Sequence, residues 1–373
     1  MLPRHFQAVD YSAISAWLLE LAQENADSLV LALLPEAEKE SVPGIQALFN
    51  EHKLTLFGAI FPALLSETGF ATQGVTFLLL PRATSGFLVG PLGDDSANAA
   101  RQIGDALKAA RAVAEASSQQ RLFLVFDSML PNTGSMLSYL FDRLGRDYAY
   151  TGVSAGSETF QPLPCLFDNL RLISNGALGL VIGPEIHFAA RHAYPVTKSL
   201  MRASSTQGNR IDKIDGEPAM SVYQRVIFEE FGVTLTRENF YDYAVHHPFG
   251  LIGTLDILVR IPVAFNDDGS IFCVGEVPPN SLLRLLKAPS LAESSCVTDL
   301  VETLGVREKQ PLMAFYCAGR RMHFGSDAVT EIRELYEKSG SANIFGALSL
   351  GEISSNADLG IPQFHNAAVV CAC

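Results

Sequence analysis

The sequence lacks the features that mark several protein classes. None of its apolar runs approaches the roughly twenty residues that a membrane-spanning helix needs. The first ten residues contain neither the basic nor the apolar region of a signal peptide. We therefore expect a cytoplasmic protein that does not contact membranes.

Positive charge is also scarce. The chain has 27 Lys and Arg residues against 40 Asp and Glu residues, which gives a formal net charge of -13, and no basic cluster offsets this charge locally. This balance argues against nucleic acid or anionic lipid as a partner. A hydrophobic content of 48% with only 18% charged residues excludes a disordered chain.

The cysteines show no paired framework of the kind that disulfide-stapled domains have, so we expect reduced thiols in the cytosol. The pair Cys371 and Cys373 could contact a metal, but two thiols alone rarely hold one. The six cysteines are Cys165, Cys273, Cys296, Cys317, Cys371 and Cys373.

Catalytic signatures are largely missing. There is no phosphate-binding lysine loop, no HExxH helix and no GxGxxG opening. Gly152 to Gly156 matches the Gly-x-Ser-x-Gly pattern of a hydrolase elbow, but no helical pattern follows Ser154, as that elbow requires. We therefore expect a protein that is not an enzyme, and a hydrolase using Ser154 stays as an alternative.

A unit of strand, helix, glycine-rich bend and strand occurs three times. The clearest copy runs from Arg121 to Ile182, and the others begin at Leu29 and at Leu312. The chain length suits two domains. We predict an α+β protein with mixed β-sheets covered by helices, built from this repeated strand-helix-strand-strand unit and divided into residues 1–200 and 201–373.

Local patterns beyond the repeat predict further elements. The polar run from Arg202 to Gly208 is typical of a domain boundary. A hairpin is predicted with its strands at Leu258 to Phe265 and Ile271 to Val277. The apolar residues between Ser281 and Leu286 favour a short helix, and a longer helix is expected to open with Pro218 in its first turn and to run to Phe231.

Histidines are candidates for binding a cofactor. A single axial histidine in an apolar, aromatic environment is enough to bind haem. His187 and His192 follow a predicted strand, and their spacing of five residues is not that of a helical zinc pair. His246 lies near Tyr243 and Phe249, and His365 precedes the last strand. We name as haem candidates His246, His187, His192 and His365, with Tyr243 and Phe249 as aromatic surround, and His246 and His187 are also the candidates for binding a metal.

The glycine bends suggest a different kind of site. The bend at Gly152 and Gly156 matches a bend at Gly346 and Gly351, and backbone N–H groups exposed at such bends can bind an anionic or polar ligand. The alternative is that these glycines only permit tight turns. Polar residues that could contact a small ligand in a cleft between the domains are Ser157, Glu158, Arg260, Glu352 and Asn366.

An ordered set of segments resembles the FIST proteins, bacterial sensory modules with an N-terminal and a C-terminal FIST domain. The resemblance covers about Asp27 to Val370 and rests on FDSM, YTGVSAGSETF, IDGEPAMSVY, NFYDYAVHHPFG, LVRIPVAFNDDGSIFCVGEVP, FGALSLGEI and FHNAAVV. It implies a ligand-sensing module of signal transduction that binds small molecules such as amino acids.

The resemblance extends to free-standing members of the family that sense nitric oxide through haem and act on a partner histidine kinase. It therefore implies a haem-binding nitric oxide sensor that regulates a histidine kinase or another signalling protein, and it leaves room for a homodimer. The alternative is a haem-free module for an amino-acid-like ligand.

Overall fold

The computed structural model describes residues 2–25, 27–82, 84–111, 120–253, 256–306, 309–355 and 359–373. It confirms an α+β protein with mixed sheets covered by helices. No helix in the described part of the chain is long and apolar enough to cross a membrane.

The helices are α1 (Tyr11–Glu24), α2 (Val42–Glu51), α3 (Ser96–Arg111), α4 (Thr133–Leu144), α5 (Ala219–Phe231), α6 (Phe240–Ala244), α7 (Cys296–Leu304), α8 (Ala318–Phe324) and α9 (Asp327–Ser339). The strands are β1 (Leu2–Phe6), β2 (Leu29–Pro35), β3 (Thr55–Phe61), β4 (Leu64–Ser66), β5 (Gly69–Ala71), β6 (Val75–Leu79), β7 (Ser85–Val89), β8 (Gln120–Asp127), β9 (Tyr148–Ala155), β10 (Leu166–Asp168), β11 (Leu172–Ile173), β12 (Ala177–Ile182), β13 (Phe188–Arg191), β14 (Met201–Gln207), β15 (Arg210–Ile214), β16 (Glu217–Pro218), β17 (Phe249–Ile252), β18 (Ile257–Arg260), β19 (Pro262–Phe265), β20 (Ile271–Cys273), β21 (Leu282–Leu285), β22 (Leu312–Cys317), β23 (Ile344–Ser349), β24 (Glu352–Ser355), β25 (Pro362–His365) and β26 (Val369–Ala372).

Three six-stranded sheets share one plan, which confirms the repeated unit. In each, a central apolar strand (β2, β8 or β22) pairs in parallel with a strand reached through a helix (β3, β9 or β23). The central strand also pairs antiparallel with a return strand (β6, β12 or β26). An outer strand (β1, β7 or β13) completes this side of each sheet. We refer to these as units one, two and three.

The glycine of each unit lies inside a strand. Gly58, Gly152 and Gly346 occupy the same register, opposite Ala32, Leu124 and Ala314 of the central strands. The prediction of a glycine-rich bend at this place was therefore wrong. At Gly346, φ is 145° and an added Cβ would lie 1.8 Å from the carbonyl oxygen of Ala314, so the neighbouring backbone leaves no room for a side chain.

The units exchange hairpins in a cycle. The hairpin that follows the glycine-containing strand never joins the sheet of its own unit. Hairpin β4–β5 of unit one pairs with β23, strand β10 of unit two pairs with β3, and hairpin β24–β25 of unit three pairs with β9. Each sheet therefore ends in strands supplied by another unit.

The largest apolar core lies where the three units meet. It contains residues of all three units, and the ring of Phe315 lies 5.6 Å from the ring of Phe61 and 5.8 Å from that of Phe123, centroid to centroid. Helices α3 and α4 cover the sheet of unit two, and α7 and α9 cover that of unit three. Burial of these aromatic rings stabilises the contact between the three units.

A separate eight-stranded sheet, formed by β14 to β21, is inserted between β13 and the rest of unit three. It has its own core, which includes α5. This helix ends at Phe231 as predicted and begins at Ala219, just after the expected Pro218. The predicted hairpin is present as β19 and β20, although shorter than expected, because β18 pairs with β17 instead. We call residues 201–285 the inserted segment.

The polar run from Arg202 to Gly208 lies largely in strand β14, and the domain boundary expected there stays a prediction. One local prediction in the inserted segment was wrong, because the helix expected between Ser281 and Leu286 is strand β21. In β21 the buried residues Leu283 and Leu285 alternate with more exposed ones. A period of two is typical of a strand. A run this short does not let periodicity distinguish a strand from a helix, which is why the prediction of a helix failed.

Candidate functional site

A cavity of about 760 Å³ lies between two units. One wall is the edge strand β13 with the residues that follow it, and the other is formed by β9, β24 and β25 of the sheet of unit two. Helix α7 contributes Asp299 and Thr303. Because hairpin β24–β25 belongs to unit three in sequence, the strand exchange is what brings these walls together.

Three of the four predicted histidines line this cavity, namely His187, His192 and His365. His246 does not line it. Its Nδ1 atom lies 2.6 Å from Nδ1 of His323, whose Nε2 donates to the carbonyl oxygen of Pro289 at 2.7 Å. Tyr243 and Phe249 are also elsewhere, because they pack in the core of the inserted segment.

The ring of His192 already has a partner on each nitrogen. Nδ1 accepts a hydrogen bond from the backbone N–H of Tyr194 at 3.0 Å, so Nε2 carries the proton and donates to the carbonyl oxygen of Ile257 at 2.9 Å. Burial lowers the pKa of His192 to about 4, which keeps the ring neutral at physiological pH. His192 therefore fixes the shape of the wall and has no free nitrogen for iron.

His365 is buried deeper, with 7% of its surface exposed. Its Nε2 atom lies 3.1 Å from Oγ of Ser354, and burial lowers its pKa to about 3. His187 is exposed at the rim. The cavity therefore does not fit haem through His192 or His365, and its wall is made of alanines and charged residues more than of the aromatic surround that we predicted.

Charges of both signs face the cavity. Arg191 donates from Nη2 to the Thr303 hydroxyl at 2.9 Å, and Arg121 donates from Nε to the carbonyl oxygen of Ile186 at 3.3 Å. Two carboxylates, those of Asp256 and Asp299, also line it. A cavity lined by both positive and negative side chains suits a small ligand that carries both a carboxylate and an ammonium group.

A buried carboxyl group lies behind the cavity wall. Glu352 is 0% exposed, and it occupies the register position that Leu64 and Leu166 hold in the other two hairpins. Its carboxyl accepts hydrogen bonds from the Ser349 hydroxyl at 2.6 Å and from the backbone N–H of Ala368, a wall residue, at 3.2 Å. Burial raises the pKa of Glu352 to about 8, so the group is largely protonated at neutral pH.

A buried arginine ties the cavity wall to the core of unit three. Arg320 is 0% exposed and forms a two-pronged ion pair with Glu331, with N to O distances of 2.6 and 2.8 Å. Its Nη1 atom donates to the carbonyl oxygens of His192 at 2.7 Å and Ala367 at 3.2 Å. One guanidinium group therefore holds the segment after β13 and the turn before β26 in a fixed relation.

The five predicted ligand-binding residues do not line the cavity. Glu352 and Asn366 are buried, and Oδ1 of Asn366 has no hydrogen-bond partner within the described ranges. Arg260 is buried too and donates to the carbonyl oxygens of Glu276 at 2.7 Å and Phe364 at 3.0 Å. The hydroxyl of Ser157 lies 2.8 Å from that of Thr159, and Glu158 pairs with Arg321.

Within the part of the chain that the structure describes, the predicted nucleophile Ser154 and the predicted metal residues do not form the sites that their sequence patterns suggested. Ser154 is 1% exposed inside strand β9, where its backbone bonds to Gly351 and Leu350, so it does not lie on a strand-to-helix elbow. Across the described ranges, His, Cys, Asp and Glu residues form no group of three that could hold a metal ion. The predicted metal residues His246 and His187 are thus not part of such a group.

Sequence reasoning missed the charged residues of the cavity, which are Arg121, Arg191, Asp256 and Asp299. For Arg191 the sequence offered a signal, because this residue immediately precedes the candidate His192 in the segment that follows a predicted strand. The other three come from β8, from the segment before β18 and from α7, and no sequence pattern indicates that they meet.

The comparisons with known proteins give a family. Residues 28–217 match the FIST N domain and residues 219–355 match the FIST C domain. FIST domains are in general sensory domains of signal transduction that bind small ligands. A comparison with curated protein sequences returned no match.

Proposed function

The chain belongs to the FIST family, and on that premise we propose that it is a sensory module that binds a small zwitterionic ligand of the amino-acid class in the 760 Å³ cavity. Ligand binding would alter the contacts of the protein with a signalling partner, for which a histidine kinase is our candidate. We further propose that the protein acts in the cytoplasm and has no enzymatic activity.

The observation that carries the proposal is the charge pattern of the cavity. Arg191 and Arg121 supply N–H donors for a carboxylate, and Asp256 and Asp299 supply acceptors for an ammonium group. The neutral rings of His192 and His365 line the cavity without adding net charge, and the hydroxyl groups of Ser354 and Thr303 offer further polar contacts. A ligand with only one charge would complement only one of the two signs of charge on the cavity wall.

The position of the cavity supports a sensory role. It lies between β13, which pairs with β26 of unit three, and the sheet of unit two. The chain leaves β13 through His192 and Tyr194 toward the inserted segment, so a ligand that moves this wall also acts on the inserted segment. A ligand shifts such an equilibrium by the difference between its affinities for the two arrangements.

The first experiment is a thermal-shift screen of the twenty amino acids, followed by calorimetry of the best ligand. We expect its α-carboxamide and its N-acetyl derivative each to bind about tenfold more weakly. The amide lacks the negative charge of the carboxylate and the N-acetyl compound lacks the positive charge of the ammonium group, so each loses one charge-assisted contact. Arg191→Gln should weaken binding of the parent ligand and of the N-acetyl compound, whereas Asp299→Asn should weaken binding of the parent and of the amide.

Arg333→Gln is the matched control, because Arg333 lies exposed on α9 and outside the cavity. The proposal is wrong if no amino acid raises the unfolding temperature, or if an amino acid binds equally well to the wild type, Arg191→Gln and Asp299→Asn.

One observation keeps the haem hypothesis as a second candidate. The exposed ring of His187 lies at the rim of a cavity that two further predicted histidines also line. Haem would supply the iron at which nitric oxide binds. Absorption spectra after expression with added haem decide this hypothesis. A Soret band that disappears in His187→Ala supports it, and a colourless protein that takes up no added haem rejects it.

A further inference from the structure

We infer that a second cavity, of about 370 Å³, is a binding site for a planar aromatic carboxylate. This cavity is distinct from the charged one described above. It lies where the loop after β9, the inserted segment and helix α8 meet, and its lining consists of Glu158, Phe160, Tyr241, Val263, Arg321 and Met322.

The lining is mainly apolar and aromatic, and part of it is exposed. Phe160 and Met322 each leave 43% of their surface accessible to solvent, and the Tyr241 hydroxyl donates to the Met322 sulfur at 3.4 Å. An aromatic ring and a thioether can adapt to a flat apolar ligand. Cavities lined in this way, with a few polar groups that fix orientation, are the usual form of a small-molecule site.

The backbone of Phe160 gives an independent reason for a functional role. Its φ angle is 56°, in the left-handed region that bulky residues rarely adopt. Burial of its ring does not compensate for this conformation, because the ring is substantially exposed. Strained residues at the mouth of a cavity are found where a ligand contact requires them. Ring contact with an aromatic ligand would account for a phenylalanine here.

Charge selects the class of ligand. The guanidinium of Arg321 pairs with Glu158 through Nη2 and lies 5.6 Å from the centre of the Phe70 ring. Its side chain is 27% exposed, and within the described ranges Nε and Nη1 have no hydrogen-bond partner. These two donors suit the carboxylate of a ligand whose ring lies against Phe160 and Met322.

The test uses three indoles of similar size whose side chains are anionic, neutral and cationic, namely indole-3-acetate, indole-3-acetamide and tryptamine, with saturation-transfer NMR and calorimetry as readouts. We expect indole-3-acetate to bind about tenfold more tightly than the neutral amide, and tryptamine most weakly. Arg321→Gln should remove the preference for the acid, whereas Arg333→Gln, on the exposed face of α9, should retain it.

A glycine at position 160 separates binding from stability. Phe160→Gly removes the ring and relieves the backbone, so we expect the unfolding temperature to stay or rise while affinity for indole-3-acetate falls at least about tenfold. Phe228→Ala, at an exposed phenylalanine on α5, is the control and should change neither.

Three results would overturn the inference: equal binding of the three indoles, an acid preference that survives Arg321→Gln, or a Phe160→Gly protein that is less stable and binds as before. Amino-acid binding in the charged cavity is measured separately on the same variants, so failure at one site does not decide the other.

Discussion

Units one and two differ from unit three in what they place at equivalent positions. The first residue of the exchanged hairpin is leucine in units one and two, at Leu64 and Leu166, and glutamate in unit three, at Glu352. All three are buried. A repeat preserves backbone geometry, so the side chain that breaks its apolar pattern indicates where the unit has acquired a different role.

A second difference between units two and three lies just after the end of the central strand. Three residues after the end of β8 comes Leu130, and three residues after the end of β22 comes Arg320. Leu130 packs in the core of unit two, whereas Arg320 binds Glu331 and the carbonyl oxygens beside the cavity. Unit three therefore has the same frame as the other units but a polar interior, and this interior lies against the charged cavity.

The largest effect is expected from a change to the frame that the units share. Gly346→Ala would place Cβ 1.8 Å from a backbone oxygen of the adjacent strand, at a φ angle of 145°. We expect loss of about 5 kcal/mol or failure to fold, measured by urea unfolding. Gly93→Ala is the control, since an added Cβ there meets nothing within 4 Å and should change stability by less than about 0.5 kcal/mol. If the two variants were equally stable, the adjacent strand would not be what requires a glycine at position 346.

The next effect tests the buried ion pair between Arg320 and Glu331 of unit three. Arg320→Leu gives unit three the leucine of unit two but leaves Glu331 buried without its partner, so we expect a loss of about 4 kcal/mol. Arg320→Leu combined with Glu331→Leu should recover much of this loss, because no charge then stays buried. A double-mutant cycle by chemical unfolding measures the recovery. A double variant as unstable as the sum of the single ones contradicts the argument.

The third effect concerns Glu352 and depends on pH, so over a single pH unit it is smaller than the two effects above. Its pKa rises from 4.5 in the unfolded chain to about 8 in the folded protein. Between these pH values the folded state holds a proton that the unfolded state has released, so this group lowers the free energy of unfolding as pH rises. Glu352→Leu restores the leucine of the repeat and removes this dependence.

The stability difference between Glu352→Leu and the wild type should therefore grow by up to about 1.4 kcal/mol per pH unit from pH 4.5 to 8, in favour of the variant. A difference that is constant from pH 4.5 to 8 would show that Glu352 is ionised in the folded protein.

The parts of the fold that local sequence determines could be predicted. The central strands are continuous apolar runs because both faces of each sheet are covered, and α5 ends at Phe231 as its pattern indicates. The exchanged hairpins could not be predicted, because β10 and β11 have only two or three residues each and their partners lie far away in sequence.

The candidate site shows the same division. Histidines such as His192 stand out in the sequence, but nothing local reveals that its ring is neutral and fully hydrogen-bonded. Glu352 stands beside a glycine in the sequence, yet its role depends on the register that places it opposite Val153 and equivalent to two leucines. The walls of the cavity come from different units, so only the tertiary structure brings its charges together.

The cyclic hairpin exchange has a consequence for how this chain can change over time. Each unit completes a sheet of another unit, so deleting, duplicating or transplanting a single unit leaves one sheet without its edge and one hairpin without a sheet. Unlike a solenoid, which can gain or lose repeats at its ends, this ring of three is closed in number. Its functional variety must therefore arise by substitution inside the units and by insertions such as residues 201–285, where the ring tolerates extra chain.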